Sequence, residues 1–377
     1  MIFLRRVIAV AAFALVGANL PAVAETPLGD TIRLGQSGPQ TGPLAELNRD
    51  YLSGISLYFD QVNAAGGIHG RKIEIVAVDD AYDPEQTERN ARSLIEERGV
   101  FALFGVFGTG QNRKAIPVAT AAGVPYFAPY TGADLLRDPP HPLVFHFRAS
   151  YGREIEAIID HLTTSGVTTI GLVHHADAFG EAGLRAAEQA LSARGRPPLV
   201  AVASIAANGD GAEQAAAQIA GSAPAAVILV AAGRTPPILI REMRARDLNP
   251  MLFGLSVVSS RELVRELGAG AHGVVLAQVT PSPFRIDHPV VRDYQRAAKQ
   301  VGQDYGYAAL EGYMAAKTFS EALRRAGREL TRGTLVKSLE SLKGWDVGGL
   351  TIDFSATHRV GLSYVDLSVV SHGRFSH

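Results

Sequence analysis

Residues 63–80 read Asn-Ala-Ala-Gly-Gly-Ile-His-Gly-Arg-Lys-Ile-Glu-Ile-Val-Ala-Val-Asp-Asp. In one run they give the end of a helix, a stop, a tight turn and a strand. Upstream, Leu47, Tyr51, Ile55, Tyr58 and Val62 recur at the spacing of a single helical face. Gly66 and Gly67 supply the left-handed backbone that ends such a helix. Ile73, Ile75, Ala77 and Val78 then form a nearly continuous apolar run, as in a strand covered on both faces.

Outward from this stretch, strands and helices alternate along the chain. Toward the N-terminus a strand is expected over 32–35 and a helix over 46–65. Asp83-Pro84-Glu85-Gln86 is a helix start, with an acidic cap, Pro at the first helical position and Gln three residues after the cap. A strand over 100–105, a helix over 111–122 and strands over 124–128 and 143–147 complete a first series. A second series runs from a helix over 151–165 to a strand over 273–277. Helices around 290–301 and 308–326 and closing strands near 350–354 and 364–370 follow. Such alternation predicts parallel sheets covered by helices, and two series predict two such domains.

The bulk composition narrows the function. The chain has 377 residues, of which 47% are hydrophobic, enough for two domains with real cores. The formal net charge is -1, and no basic run points to nucleic acid. Arg5 and Arg6 precede an apolar run over 7–17, and Ala22-Val23-Ala24 offers a small-x-small cleavage pattern. Residues 1–24 are therefore expected to be a secretory signal peptide cleaved after Ala24, leaving a free, soluble protein in the periplasm. The chain contains no cysteine, so stability must come from packed cores rather than disulfides. We find no Gly-x-Ser-x-Gly elbow, His-Glu-x-x-His helix or cysteine nucleophile, and an enzyme is not expected.

The Asn-Ala-x-Gly-Gly-Ile-x-Gly turn, followed by a strand ending in Asp-Asp, resembles the periplasmic solute-binding proteins of branched-chain amino acid ABC transporters. The resemblance covers essentially the whole chain after residue 24. It implies an α/β architecture, the type I periplasmic binding protein fold, with two Rossmann-like lobes and three hinge crossings near 148–150, 277–283 and 354–361. One lobe would then comprise 25–149 with 280–355, and the other 150–279 with 356–377. It also implies a monomer that binds a small solute without cofactor or metal and delivers it to a membrane permease.

In open α/β sheets, ligands bind beyond the carboxyl ends of the strands. Gly105-Val-Phe-Gly-Thr-Gly-Gln111 is such a loop. Thr109 offers a hydroxyl, and Gly110 and Gln111 offer backbone N–H groups at the positive end of a helix, suited to a carboxylate. The glycines do not have dinucleotide spacing, and a purely structural turn is the alternative. Thr109 stands where the amino-acid-binding relatives carry a serine. In the next loop, Tyr130, Thr131 and Gly132 take the place of the relatives' carbonyl and hydroxyl contacts.

The run His174-His175-Ala-Asp177-Ala-Phe179 invites a metal reading, but adjacent side chains in a strand point to opposite faces. The family parallel is with Phe179, where relatives place a tyrosine; Tyr151 adds a second flat wall. Arg234 is either a neutraliser of an acidic ligand or a solvated surface arginine. Arg148, at the first expected crossing, is a candidate to tie hinge carbonyls together.

Two departures define the expected specificity. Ser256 stands where the amino-acid binders carry the acid that pairs with the ligand's ammonium, and Leu47 stands where they carry a tyrosine. Asp177 and Glu46 are possible substitutes, neither at the matching position. A buried ammonium without a partner would cost several kcal/mol, roughly. The expected ligand is a carboxylate with an apolar or aromatic body and no α-ammonium, with a branched-chain amino acid as the alternative.

Overall fold

The computed structural model describes residues 29–371 and 374–376; the expected signal peptide and its cleavage position lie outside the described residues. A first sheet has the order β2-β1-β3-β4-β5 and is parallel throughout. Its elements are β1 (Thr31–Gly38), α1 (Ala45–Ala64), β2 (Lys72–Asp79), α2 (Pro84–Glu96), β3 (Ala102–Phe104), α3 (Thr109–Ala121), β4 (Tyr126–Phe127) and β5 (Val144–Phe145). Asp83 caps α2 by accepting from the Glu85 N–H at 2.8 Å, with Pro84 at the first helical position.

The chain then enters a second unit of α4 (Tyr151–Thr164), β6 (Ile170–His175), α5 (Ala178–Ala193), β7 (Ala201–Ile205), α6 (Ala212–Ser222), β8 (Ala226–Val230), α7 (Thr235–Arg244), β9 (Met251–Gly254), α8 (Ser260–Leu267) and β10 (Val275–Gln278). It returns to the first with α9 (Pro289–Val301), α10 (Tyr307–Ala326) and α11 (Arg332–Glu340). A small hairpin, β11 (Trp345–Asp346) and β12 (Thr351–Ile352), precedes β13 (Asp366–Ser371) and β14 (Arg374–Ser376). The second sheet has the order β14-β13-β10-β9-β8-β6-β7.

Some sequence expectations need correction. Strands β13 and β14 are antiparallel, so the second sheet is mixed. The segment near 350–354 contributes only to the β11–β12 hairpin, apart from both sheets. Helices α8 and α11 were not anticipated, though each announces its start. Ser259 accepts from the Glu262 N–H, and Thr331 and Thr334 form a reciprocal capping box. Helix α3 begins at Thr109 rather than Gln111, because Gly108 takes a φ of 94° and caps it.

The return of α10 holds the first unit together. Gly54 of α1 and Gly312 of α10 bring the two helix backbones into contact: a Cβ on Gly54 would strike the Ala309 carbonyl, and one on Gly312 the Tyr51 carbonyl. Phe319 of α10 then packs on Phe104 and Phe127, with centroids 5.3 and 5.1 Å away. Each such ring contributes roughly 1.5–3 kcal/mol on burial. Arg332 donates to the carbonyls of Val100 and Phe101, tying α11 to the entry of β3. Between the sheets, the segments at 146–147 and 360–362 run side by side. The Gly361 and Leu362 N–H groups each donate, at 2.8 Å, to the carbonyls of His146 and Phe147. The loops at the carboxyl ends of the strands from both sheets meet beyond these segments.

Candidate functional site

The loop from β3 to α3 is shaped by glycine and locked by a side chain the sequence reading passed over. Asn112 donates to the carbonyls of Val106 and Gly108, at 2.9 and 2.6 Å, and accepts from Tyr126 Oη at 2.6 Å. Gly108 offers no side chain to cap the helix, so the first-turn N–H groups of Thr109, Gly110 and Gln111 have no intrahelical acceptor. Gln111 spends its own side chain elsewhere, donating to the Tyr82 carbonyl at 2.6 Å. Thr109 Oγ1 lies 2.8 Å from Thr131 Oγ1, and both residues are fully buried. A positive helix end and paired hydroxyls make a neutral donor surface suited to an anion.

Aromatic rings stand around it. Tyr130 stacks on Phe107 with centroids 4.9 Å apart, and its buried hydroxyl has no hydrogen-bond partner. The Tyr151 N–H donates to the Gly132 carbonyl at 2.7 Å. A Cβ on Gly132 would lie 2.6 Å from the Tyr151 ring, so this position admits no side chain without displacing it. Tyr151 in turn packs on Phe179 at 5.1 Å. Asp177 caps α5 by accepting from the Phe179 and Gly180 N–H groups, both at 3.0 Å, and accepts from Tyr82 Oη at 3.1 Å. Tyr82 thereby links the first unit to the second.

Thr109, Tyr130, Tyr151 and Phe179 line one cavity of about 10 Å³, room for about one water. Thr131 and Gly132 pack directly against its walls, a Cβ on Gly110 would come within 4.0 Å of Ala178 of α5, and Leu47 and Ser256 line a different cavity.

Ser256 is tied into a buried ionic cluster. Its N–H and hydroxyl both donate to the Glu154 carboxylate, at 2.7 and 2.9 Å, and Arg148 donates to its Oγ. Arg148 lies 3.8 Å from Glu154 and 3.5 Å from Glu311, with its guanidinium 4.8 Å above the Tyr130 ring. Burial raises both carboxyls, Glu311 to about 7. Burial opposes the charge on Arg148, but Glu311, Tyr130 and Glu154 together hold it protonated. Glu154 and Glu311 escaped the sequence reading; Glu311 offered a signal as a lone acid among Ala309, Leu310, Gly312 and Tyr313, whereas Glu154, between Arg153 and Ile155, offered none.

The carbonyls at residues 148 and 149 are tied by Arg137 rather than by Arg148. Arg137 donates to the carbonyls of Arg148, Thr131 and Ala149 at 2.9, 3.0 and 3.3 Å, and burial lowers it to about 10. It can do so because it lies 11 residues upstream of Arg148 and reaches forward, while Arg148 is held by acids from α4 and α10. Arg234 is half-exposed and pairs with Glu266 at 2.8 Å. Glu46 pairs with Arg265 at 2.8 Å, so neither Glu46 nor Asp177 joins Ser256. His174 hydrogen-bonds the His175 carbonyl at 2.7 Å, and among the described residues no cluster of His, Cys, Asp and Glu has metal-binding geometry.

The chain is similar to known proteins. The family model described as periplasmic binding protein matches residues 31–371. A substrate-binding periplasmic protein from Ralstonia solanacearum superposes with a TM-score of 0.85 and 36% identity, covering 90% of this chain and 98% of that one. A possible leucine/isoleucine/valine-binding protein from Rhodopirellula baltica SH 1 gives 0.88 and 28%, covering 93% and 97%. Among curated relatives, the Leu/Ile/Val-binding protein homolog 7 of Brucella suis biovar 1 (strain 1330) is 36% identical over 134 residues. That match spans 36% of this chain and 32% of the relative's length. Proteins of this kind bind solutes in the periplasm and are not enzymes, and the chain belongs to the periplasmic binding protein family.

Proposed function

We propose that this protein is the extracytoplasmic capture component of an ABC importer. It takes a small carboxylate-bearing apolar or aromatic solute between its two sheets and delivers it to a membrane permease. The cavity there holds about one water in this closed arrangement; once the two units part, the carboxylate is received by the start of α3 and the hydroxyls of Thr109 and Thr131, and the body lies against Tyr130, Tyr151 and Phe179. Residues 25–149 with 280–355, and 150–279 with 356–377, act as the two bodies that open and close around it. The protein works as a monomer after cleavage behind Ala24.

The observation that carries the absence of an α-ammonium is the contact between Arg148 and Ser256. Where amino-acid-binding relatives hold the ligand's cation, this protein supplies its own guanidinium, already paired with Glu154 and Glu311. An arriving ammonium would meet like charge there. The second reading, a branched-chain amino acid, draws support from the surplus acid in the same cluster, two carboxyls against one guanidinium.

A thermal-shift series separates the two. Leucine is paired with 4-methylpentanoate and phenylalanine with 3-phenylpropanoate, with benzoates added. Binding to the folded state raises the midpoint, by mass action. Stabilisation by the non-amino acids alone is expected; stabilisation by leucine or phenylalanine overturns the specificity and favours the second reading.

A further inference from the structure

At the edge of the larger cavity, about 650 Å³ and lined by Leu47 and Ser256, α1 of the first unit faces α8 of the second. Glu46 stands in the first turn of α1 and Glu262 in the first turn of α8. A glutamate three residues after a serine cap commonly turns back to that cap's N–H. Glu262 turns toward α1 instead, where its buried carboxyl is in hydrogen-bond contact with Glu46. Two ionised carboxylates repel, so a hydrogen bond between them requires that one carry a proton.

The surrounding charges leave Glu262 as the acid that keeps it. Arg265 of α8 makes its short contact with Glu46, at 2.8 Å, and lies 3.5 Å from Glu262. Arg234, ahead of α7, pairs with Glu266 at 2.8 Å and reaches Glu262 only at 3.8 Å. Arg241 of α7 is also committed to Glu266, and Asp50 of α1 is paired with Arg261 of α8. Both longer contacts fall on Glu262 Oε1, while Oε2 is buried without a hydrogen-bond donor. Burial, and after it Glu46, raise Glu262 from 4.5 to about 7 against the opposing pull of Ser259 and Arg265.

We infer that Glu46 and Glu262 form a proton-operated latch between the two units. With one proton shared, α1 and α8 are drawn together. Without it, two carboxylates face each other with one close cation, Arg265, and push the units apart. The latch rests on the proposed opening and closing of the two bodies. Parting α1 from α8 returns both carboxyls to water, where Glu262 regains its ordinary value. Closure therefore takes up a proton: it is favoured most at low pH and weakens as pH rises from about 4.5 through about 7. The ratio of closed to open protein should fall roughly tenfold or more between pH 5 and pH 8. Solute capture is thereby tighter in acid surroundings than in neutral ones.

Small-angle scattering of the unliganded protein at pH 5 and pH 8 tests the latch. The natural protein should be compact at pH 5 and expand at pH 8. Glu262→Gln, neutral at every pH and able to donate to Glu46, should stay compact at both. Glu311→Gln removes the other acid raised to about 7 between the units and should keep the expansion. Melting of each variant reports its folding. Glu46→Gln, whose amide can donate to an ionised Glu262, should also lose the expansion, and it decides the matter if Glu262→Gln does not fold. Expansion that persists in Glu262→Gln, or that vanishes in Glu311→Gln, overturns the latch. A natural protein unchanged by pH, when Tyr82→Phe is more open than it, overturns the latch alone. If neither pH nor Tyr82→Phe alters the shape, the units do not part, and the latch falls together with the two-body reading. No ligand enters the experiment, so a failure of the carboxylate series leaves its result readable.

Discussion

Two groups of polar side chains are buried between the sheets, and they are built on opposite plans. Around Thr109 and Thr131 the paired side chains are neutral hydroxyls, and the donors of the α3 start remain uncommitted within the helix. Around Arg148 the groups are ionic and bind one another: a guanidinium, two carboxyls and the hydroxyl that joins them. A neutral donor surface can accept a charged ligand without first breaking an ion pair. An ionic cluster whose members bind one another resists a charged newcomer and ties the two units to each other when they are closed.

The sharpest way to break this contrast is Arg148→Met. It strands Glu154 and Glu311 in the interior without their cation, and should cost about 3–5 kcal/mol of unfolding free energy by denaturant titration. A loss below about 1 kcal/mol would mean that the cluster does not bear on stability.

Next in size is the pH dependence of Glu311. The fold raises it from 4.5 to about 7, so the native state keeps a proton that the unfolded chain has released. Its contribution is therefore full at low pH and lost as pH rises from about 4.5 through about 7. Glu311→Gln should gain on the natural protein between pH 5 and pH 8, by roughly 1–3 kcal/mol. An unchanged difference between the two across that range would show Glu311 to be ionised throughout. Glu262, also raised to about 7 by burial and by Glu46, tilts both curves alike and drops out of the comparison.

The neutral side responds differently. Thr109→Val removes one hydroxyl from the pair and should weaken 4-methylpentanoate roughly tenfold, about 1.4 kcal/mol, with little change in the unliganded melting temperature. A fall in melting temperature with unchanged affinity would make Thr109 a packing residue. The smallest effect is expected from Tyr82→Phe, which cuts the hydroxyl contact with Asp177 across the two units. About 1 kcal/mol or less should be lost, read as a more open average shape by small-angle scattering.

The fold was legible where a local signal sufficed. The apolar period of α1, the Gly-Gly stop and the Asp83-Pro84 cap each act within a few residues, and each is found where it was read. The loops that carry Thr109, Tyr130, Tyr151 and Phe179 were legible too, because a strand's carboxyl end marks its own loop. What escaped depends on contacts that no local pattern encodes. Glu154 reaches Ser256 across 102 residues. Arg137 reads as an ordinary loop cation until the carbonyls of Arg148 and Ala149 are folded against it. Leu47 sits on a helix whose register was read correctly, yet it lines the larger cavity, because side-chain direction depends on how α1 and α8 face each other.

The glycine-mediated contact of α1 and α10 has a bearing on how the protein comes into being. Tyr313 Oη on α10 donates to Gln61 on α1 across 252 residues, and the core of the first sheet needs Phe319. The parallel part of the second sheet, by contrast, is complete by residue 278. As the polypeptide is made from its N-terminus, the core of the first unit must wait for α10, long after the parallel part of the second sheet has been made. Until α10 emerges, the apolar face of α1 that it covers, Tyr51 and Ile55 included, stands open. That interval is when an escort protein would have most to hold.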